Sequence, residues 1–264
     1  MQTMSDNIKS RKLLITGANR GIGKELLEQA LRRDAAKVYA AVRDPQSVQP
    51  LIDGYGDRVQ AIAMDMNVPS SIIDAASNAP DVDIVINNAG IMNTVAAYDE
   101  NAVDALQEEL NVNVFGLMRV AQAFAPALKT NGGGFFVQLN SVASIKASGN
   151  FATYCASKAA SYSITQSLRD WMSQQGTRVI SVHPGPTATD MGASAGFGQF
   201  ATPVSEVAEA ILDAINIEDF HAWVGPLAGL VSQHYETFSD GIINGDMAAI
   251  RSRAFNIEQP QPAS

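Results

Sequence analysis

Tyr154 and Lys158 stand four residues apart in the run Tyr154-Cys155-Ala156-Ser157-Lys158. On a helix that spacing stacks the two side chains on one face. A phenol beside an ammonium is suited to proton transfer. Its ordinary pKa of about 10 is too high for easy exchange at neutral pH, and a drop of ~3 units corresponds to ~4 kcal/mol in favour of the phenolate. One unit charge at ~4 Å, at an effective dielectric of ~20, supplies about 4 kcal/mol. The spacing therefore predicts that Lys158, helped by a cationic ring of a bound cofactor, lowers the Tyr154 pKa. Ser141 lies thirteen residues earlier, just past the apolar run Phe135-Phe136-Val137-Gln138-Leu139. A hydroxyl at a strand end can hydrogen-bond a carbonyl oxygen while Tyr154 protonates it.

Such groups need a rigid frame, and the rest of the chain reads as alternating strands and helices. Lys12-Leu13-Leu14-Ile15-Thr16 is a short apolar strand running into Gly17-Ala18-Asn19-Arg20-Gly21-Ile22-Gly23; Leu26, Leu27, Ala30 and Leu31 then recur at helical spacing. Strand, glycine turn and helix together form a phosphate cradle, since a helix N-terminus offers free N–H groups and the positive end of its dipole. Further strands are expected at 37–42, 58–64, 82–86, 178–183 and 221–224. Apolar residues at Val103, Leu106, Leu110, Val114, Leu117, Val120 and Phe124 predict one long helix over 101–128. Asn113 is a poor residue for its interior, because its amide competes for backbone hydrogen bonds. A helix over 151–175 carries Tyr154 and Lys158 and ends at Gly176. The pattern predicts an α/β fold: one doubly wound Rossmann domain with a seven-stranded parallel sheet flanked by helices.

Ser141, Tyr154-x-x-x-Lys158, Thr16-Gly17-x-x-x-Gly21-Ile22-Gly23 and Asn87-Asn88-Ala89-Gly90, in this order, resemble the short-chain dehydrogenase/reductase family over roughly residues 11 to 225. The resemblance implies a catalytic set of Ser141, Tyr154, Lys158 and Asn113. Ser141 would orient the carbonyl, Tyr154 would act as general acid, Lys158 would bind the nicotinamide ribose, and Asn113 would prop a water linking Lys158 to solvent. It implies cofactor contacts at Gly17, Asn19, Arg20, Gly21, Ile22, Asp65, Met66, Asn88 and Pro184, and at Thr187 or Thr189 for the carboxamide. Asp65 would reach the adenine amino group, although an ordinary loop role fits that residue too; Asn88 would border the adenosine ribose and Asn87 would fix the central sheet.

Cofactor choice turns on the end of the second strand. NAD-preferring relatives carry an acid there; this chain has Val42 and Arg43. Arg20 and Arg43 could straddle a 2′-phosphate, which guanidinium groups match by geometry. NADPH is therefore expected over NADH, with Asp44 as the residue that could still reach a ribose.

The chain has 264 residues, a length that suits one α/β domain, with 1–10 expected as a flexible N-terminus, 11–257 as the domain and 258–264 as a loose tail. Net charge is −9, which argues against nucleic acid or an anionic membrane as partner. No apolar run reaches the ~20 residues of a membrane span, and the polar start lacks a secretory apolar core; a cytoplasmic location is the expectation. One cysteine, Cys155, excludes an intrachain disulfide, and the scattered His183, His221 and His234 predict no metal site. His183 reads as a strand-end residue. Small residues Ala152, Ala156, Ala159, Ala160 and Ser163 permit close helix approach, and relatives pair through this helix, so a homodimer or homotetramer is expected. Gly192, Gly196 and Gly198 among apolar residues read as a mobile lid over 191–202. The expected function is reversible NADPH-dependent reduction of a ketone or aldehyde, on the pattern of carbonyl reductases. Two alternatives are a non-catalytic dinucleotide sensor on the same fold, disfavoured because Ser141, Tyr154 and Lys158 are all present, and a lyase or dehalogenase, disfavoured by the intact glycine turn.

Overall fold

A computed structural model of the chain describes residues 7–245 together with Ile250 and Ala254. The tail expected at 258–264 lies outside the described residues. Seven parallel strands form one sheet: β1 (Lys12–Thr16), β2 (Lys37–Val42), β3 (Val59–Ala63), β4 (Ile84–Asn87), β5 (Phe135–Leu139), β6 (Arg178–Pro184) and β7 (His221–Val224), in the order β3-β2-β1-β4-β5-β6-β7. Near-continuous apolar strands follow from burial on both faces; β4 and β5 are buried at every position. One face is covered by α1 (Gly21–Arg32) and α8 (Val204–Ala214), whose Leu26, Leu27, Val207 and Ile211 pack on Leu13, Ile15, Ile84 and Ile86. The other carries α3 (Pro69–Asn78), α5 (Gly116–Thr130) and α6 (Ala152–Ser173), with Phe124, Leu117 and Tyr162 against Leu14, Val85 and Phe136. The order in which strands are added to the sheet reverses between β1 and β4, and the crevice at such a switch point, beyond the strand C-termini, is where open α/β sheets bind ligands.

Packing begins earlier in the chain than residue 11. Ile8 is fully buried, and the Asn7 N–H donates to Asn216 Oδ1 at 2.8 Å. A larger departure concerns the helix expected over 101–128. Residues 102–130 are helical throughout, but α4 (Ala102–Glu109) and α5 are joined by a π turn at Leu110–Phe115. A π turn inserts one residue and swings the following face by about a quarter turn. The buried line in the first half is accordingly Ala102, Ala105, Glu109 and Asn113, whereas Val103 is 68% exposed. Reading one constant period back from Val120 therefore selects the wrong face upstream of the insertion.

After β7 the chain adds α9 (Pro226–Phe238), whose face is only partly covered: Ala228 is its one buried residue. Among the described residues no helix is long and apolar enough to cross a membrane.

Candidate active site

Apart from Asn113, which lies mid-way along a continuous helical stretch, the candidate residues sit where strands end or helices begin. β1 delivers Thr16 and then the glycine turn, in which Gly17 and Gly21 adopt φ of 66° and 52°, the left-handed region that glycine enters without steric cost. The turn is braced from β4. The Asn88 side chain donates to Thr16 O at 2.8 Å, the Ala89 N–H donates to Thr16 Oγ1 at 2.8 Å, and Thr16 Oγ1 donates to Asn87 Oδ1. Asn87 in turn donates to Gln138 Oε1 on β5 at 2.7 Å. Asn88 thus holds the glycine turn itself. No side chain caps the N-terminus of α1 and no acid lies in its first turn, so its positive end faces the crevice uncompensated.

Arg20 sits in the turn with its guanidinium 3.9 Å from Asp190, both side chains exposed. Arg43 is exposed beyond β2. Asp65 is committed to its own loop, its carboxylate accepting the Asn67 N–H at 2.8 Å, and Met66 is buried beside Gly116. On the far side β6 runs out through Pro184. Thr187 is buried and bridges to Thr202, while Thr189 Oγ1 caps α7 (Asp190–Ser194) by accepting the Gly192 N–H. The segment read as a lid over 191–202 begins in α7 and continues through a 3-10 turn at Gly198–Phe200, with Phe197 against Phe151 at 5.7 Å between ring centroids.

Ser141 follows β5 in fully extended backbone, with its hydroxyl beside the Tyr154 phenol. Lys158, one turn beyond Tyr154 on α6, is buried; its Nζ donates to Leu139 O at 2.8 Å and lies 5.8 Å from the centre of the Tyr154 ring. Asn113 projects from the π turn. Its Oδ1 accepts the Ile91 N–H, and its Nδ2 donates to Ile91 O and to Ser157 Oγ, all at 2.9 Å; Ser157 Oγ donates to Tyr154 O. The side chain of Asn113 therefore ties the loop after Gly90 to the base of α6.

The acidification of Tyr154 expected from Lys158 and a bound cofactor's cationic ring together is opposed by burial. Burial pushes the phenol up to about 12, with only the Ser141 hydroxyl pulling it down, and burial pushes the Lys158 amine down to about 8. Desolvation disfavours both charged forms. The phenol is a proton holder at neutral pH.

His183, read as a strand-end residue, is fully buried beneath Ser141. Asn140 Nδ2 donates to Ser181 Oγ at 2.8 Å, and Ser181 Oγ lies 2.8 Å from His183 Nε2. The network assigns the proton to Nδ1, which donates to Ser141 O at 3.1 Å. Its ring stacks on Trp223 at 4.6 Å, and His221 lies 5.6 Å away. The signal available in the sequence was a polar ring ending a buried strand. Burial pushes His183 down to about 3 and His221 to about 4. Both lie below the ordinary value, so between about pH 6.5 and pH 4 the unfolded chain binds protons that the fold refuses, and stability falls as pH drops. At pH 5 each histidine is expected to cost about 2 kcal/mol relative to pH 8. Urea midpoints at the two pH values check this: the loss should shrink by about 2 kcal/mol in His183→Gln, and an undiminished loss would place its source elsewhere.

Among the described residues no group of three His, Cys, Asp or Glu is arranged to hold a metal ion. Cys155 is buried and accepts the Ser148 N–H through its sulfur.

The family model for short chain dehydrogenases matches residues 11–198. The chain belongs to the short-chain dehydrogenase/reductase family of oxidoreductases. A short chain dehydrogenase from Burkholderia cenocepacia, solved in complex with NADP, is 32% identical, with a TM-score of 0.81 over 96% of this chain and 99% of its own. An uncharacterized oxidoreductase of Staphylococcus epidermidis is 29% identical over 213 residues, 79% of this chain and 92% of the relative. The 3-oxoacyl-(acyl-carrier-protein) reductase of Vibrio cholerae is 29% identical over 194 residues, 70% of this chain and 77% of that protein.

Proposed function

We propose that this oxidoreductase reduces a ketone or aldehyde to an alcohol with NADPH, and that Tyr154 is the general acid. The observation that carries the reading is the meeting of Ser141, Tyr154 and buried Lys158 at the strand ends, across the crevice from the glycine turn. When bound, the nicotinamide supplies the hydride. Ser141 donates a hydrogen bond to the substrate oxygen and steadies the charge that develops there. Tyr154, protonated at neutral pH, gives its proton to that oxygen. Its high pKa suits the reductive direction, since the acceptor is an alkoxide. Asn113 fixes the loop and helix between which this happens.

The cradle fits a dinucleotide: Gly17, Asn19, Arg20, Gly21 and Ile22 would hold the pyrophosphate against the open end of α1, with Asp65, Met66 and Asn88 toward the adenosine. Pro184, Thr187 and Thr189 would border the nicotinamide, and Lys158 its ribose. Arg20 and Arg43 favour the 2′-phosphate. Asp44, the acid that could have favoured NADH, spends its carboxylate on the Gln46 N–H at 3.0 Å. The relative solved with NADP supports the same choice. Arg43→Ala is expected to raise the KM for NADPH about tenfold or more, the loss of one or two charge-assisted bonds, with little change for NADH. Equal effects on both would remove Arg43 from the 2′-phosphate site. We extend the proposal to a homo-oligomer, because α6 leaves Ala156, Ala159 and Ser163 exposed as a flat strip. Oxidation of NADPH against a panel of aldehydes, ketones, diketones and quinones tests the activity itself; no turnover with cofactor bound would favour a sensor.

A further inference from the structure

Glu109 closes α4 one helical turn before Asn113 and is fully buried. Its Oε1 accepts the Asn93 N–H at 2.7 Å, just as Asn113 Oδ1 accepts the Ile91 N–H. Two successive turns therefore grip alternate residues of the segment after Gly90. That anchoring uses one oxygen, and a neutral Gln would do it as well. The second oxygen, Oε2, has no hydrogen-bond partner. Only two other buried side-chain atoms among the described residues share that condition, Thr153 Oγ1 and Asn93 Nδ2. They are not scattered: Asn93 is bonded to Glu109 through its backbone, and the Thr153 hydroxyl faces the Glu109 carboxyl. Thr153 immediately precedes Tyr154.

A carboxylate removed from water costs several kcal/mol unless an opposite charge answers it. Among the described residues, the one buried side chain that can answer it with a full positive charge is Lys158, on the helix packed against α4. Lys158 itself donates to a neutral carbonyl, Leu139 O, and among the described residues no carboxylate lies within 4 Å of it. Each charge is thus the other's complement.

We infer that Glu109 is a positioning residue: a buried carboxylate that keeps Lys158 protonated across the α4–α6 contact, so that Lys158 carries its charge in a site that burial would otherwise discharge. The direction of each electrostatic effect agrees. Burial lowers the Lys158 pKa, and Glu109 opposes it. Burial raises the Glu109 pKa; the Asn93 N–H, the Thr153 hydroxyl and Lys158 oppose it, and Glu108 on the same helix adds to it. Tyr154 faces Ser141, Cys155 and Glu109. His183 feels Lys158 but is neutral. The consequence for turnover rests on the reductase reading; the charge state of Lys158 does not.

The test is the pH midpoint for labelling of the Lys158 amine by an acylating reagent, read by peptide mass spectrometry on the full chain without substrate. In Glu109→Gln, which keeps the loop bond and loses the charge, the midpoint is expected to fall by about one pH unit. In Glu109→Asp, which keeps the charge and shortens its reach to Asn93, it should stay near the wild-type value. Thr153→Val removes a hydroxyl that stabilises the carboxylate and carries the same downward prediction, so the idea remains testable if Glu109→Gln fails to fold. An unchanged midpoint in Glu109→Gln, or in Thr153→Val where that variant stands in, overturns the inference. An equal fall in the Asp and Gln variants overturns it too, because the loop and not the charge would then be the cause. The alkaline limb of kcat for carbonyl reduction should move down with the midpoint. A wild-type protein that reduces no carbonyl defeats the reductase reading and leaves the labelling result to decide the role of Glu109.

Discussion

Tyr154→Phe is expected to lower kcat for carbonyl reduction by about 10³-fold, within the range for removal of a general acid, while NADPH still binds. The substitution deletes one oxygen and keeps the ring, so the ring still packs near Lys158 Nζ and the Lys158 bond to Leu139 O is untouched. Ser141 remains to polarise the substrate oxygen, but its hydroxyl has no comparable proton to give. The alkoxide must then take a proton from water in a site that burial has made poorly accessible. The loss should fall on kcat and kcat/KM together, because the proton is transferred only in the transition state. Quenching of Trp fluorescence on titration with NADPH checks that the cradle still loads. Wild-type turnover in this variant would remove Tyr154 from the reaction, and a parallel loss of NADPH binding would assign the residue to binding instead.

The fold was legible because its signals are local. Each strand is a short apolar run closed by a turn, and the glycine turn after Thr16 announces where the chain must bend sharply. The Tyr154–Lys158 pairing was legible because an i, i+4 spacing depends on one helix only. What was lost depends on two elements meeting. The π turn at Leu110–Phe115 leaves no mark in a periodic pattern, since a single inserted residue lets apolar residues on either side still fit steps of three and four. The misread face hid Glu109, a charged residue whose line of neighbours, Ala102, Ala105 and Asn113, shows only when the insertion is counted. The role of His183 was hidden for a related reason: Ser181 is on its own strand, but its other partners, Ser141 after β5 and Trp223 in β7, are brought to it by the neighbouring strands and by no sequence spacing. A Coulomb estimate between Tyr154 and Lys158 omits the desolvation of both on burial, which pushes the phenol up and the amine down.

Gly23→Ala is expected to destabilise the fold by about 3 kcal/mol or more, the upper range for forcing atoms into a packed interior, and to abolish measurable NADPH binding. A Cβ on Gly23 would lie 2.2 Å from Gly17 O, 2.9 Å from Gly17 C and 2.6 Å from Asn88 Nδ2. None of these can retreat cheaply. The Gly17 N–H is bound to Ala41 O at 2.8 Å, and Asn88 Nδ2 is bound to Thr16 O. Either the turn opens, which dismantles the cradle, or α1 lifts from the sheet, which exposes Leu26, Leu27 and Ala30. Gly54 in α2 (Gln49–Tyr55) is the internal control, since a Cβ there meets nothing within 4 Å. Gly54→Ala should stabilise the protein by about 0.5 kcal/mol through helix propensity. Urea midpoints and NADPH titrations on both variants check the pair. Opposite signs of stability, with cofactor binding lost only at Gly23, identify close backbone approach as the reason for glycine in the turn; a Gly23 variant that matches wild type in both measurements refutes it.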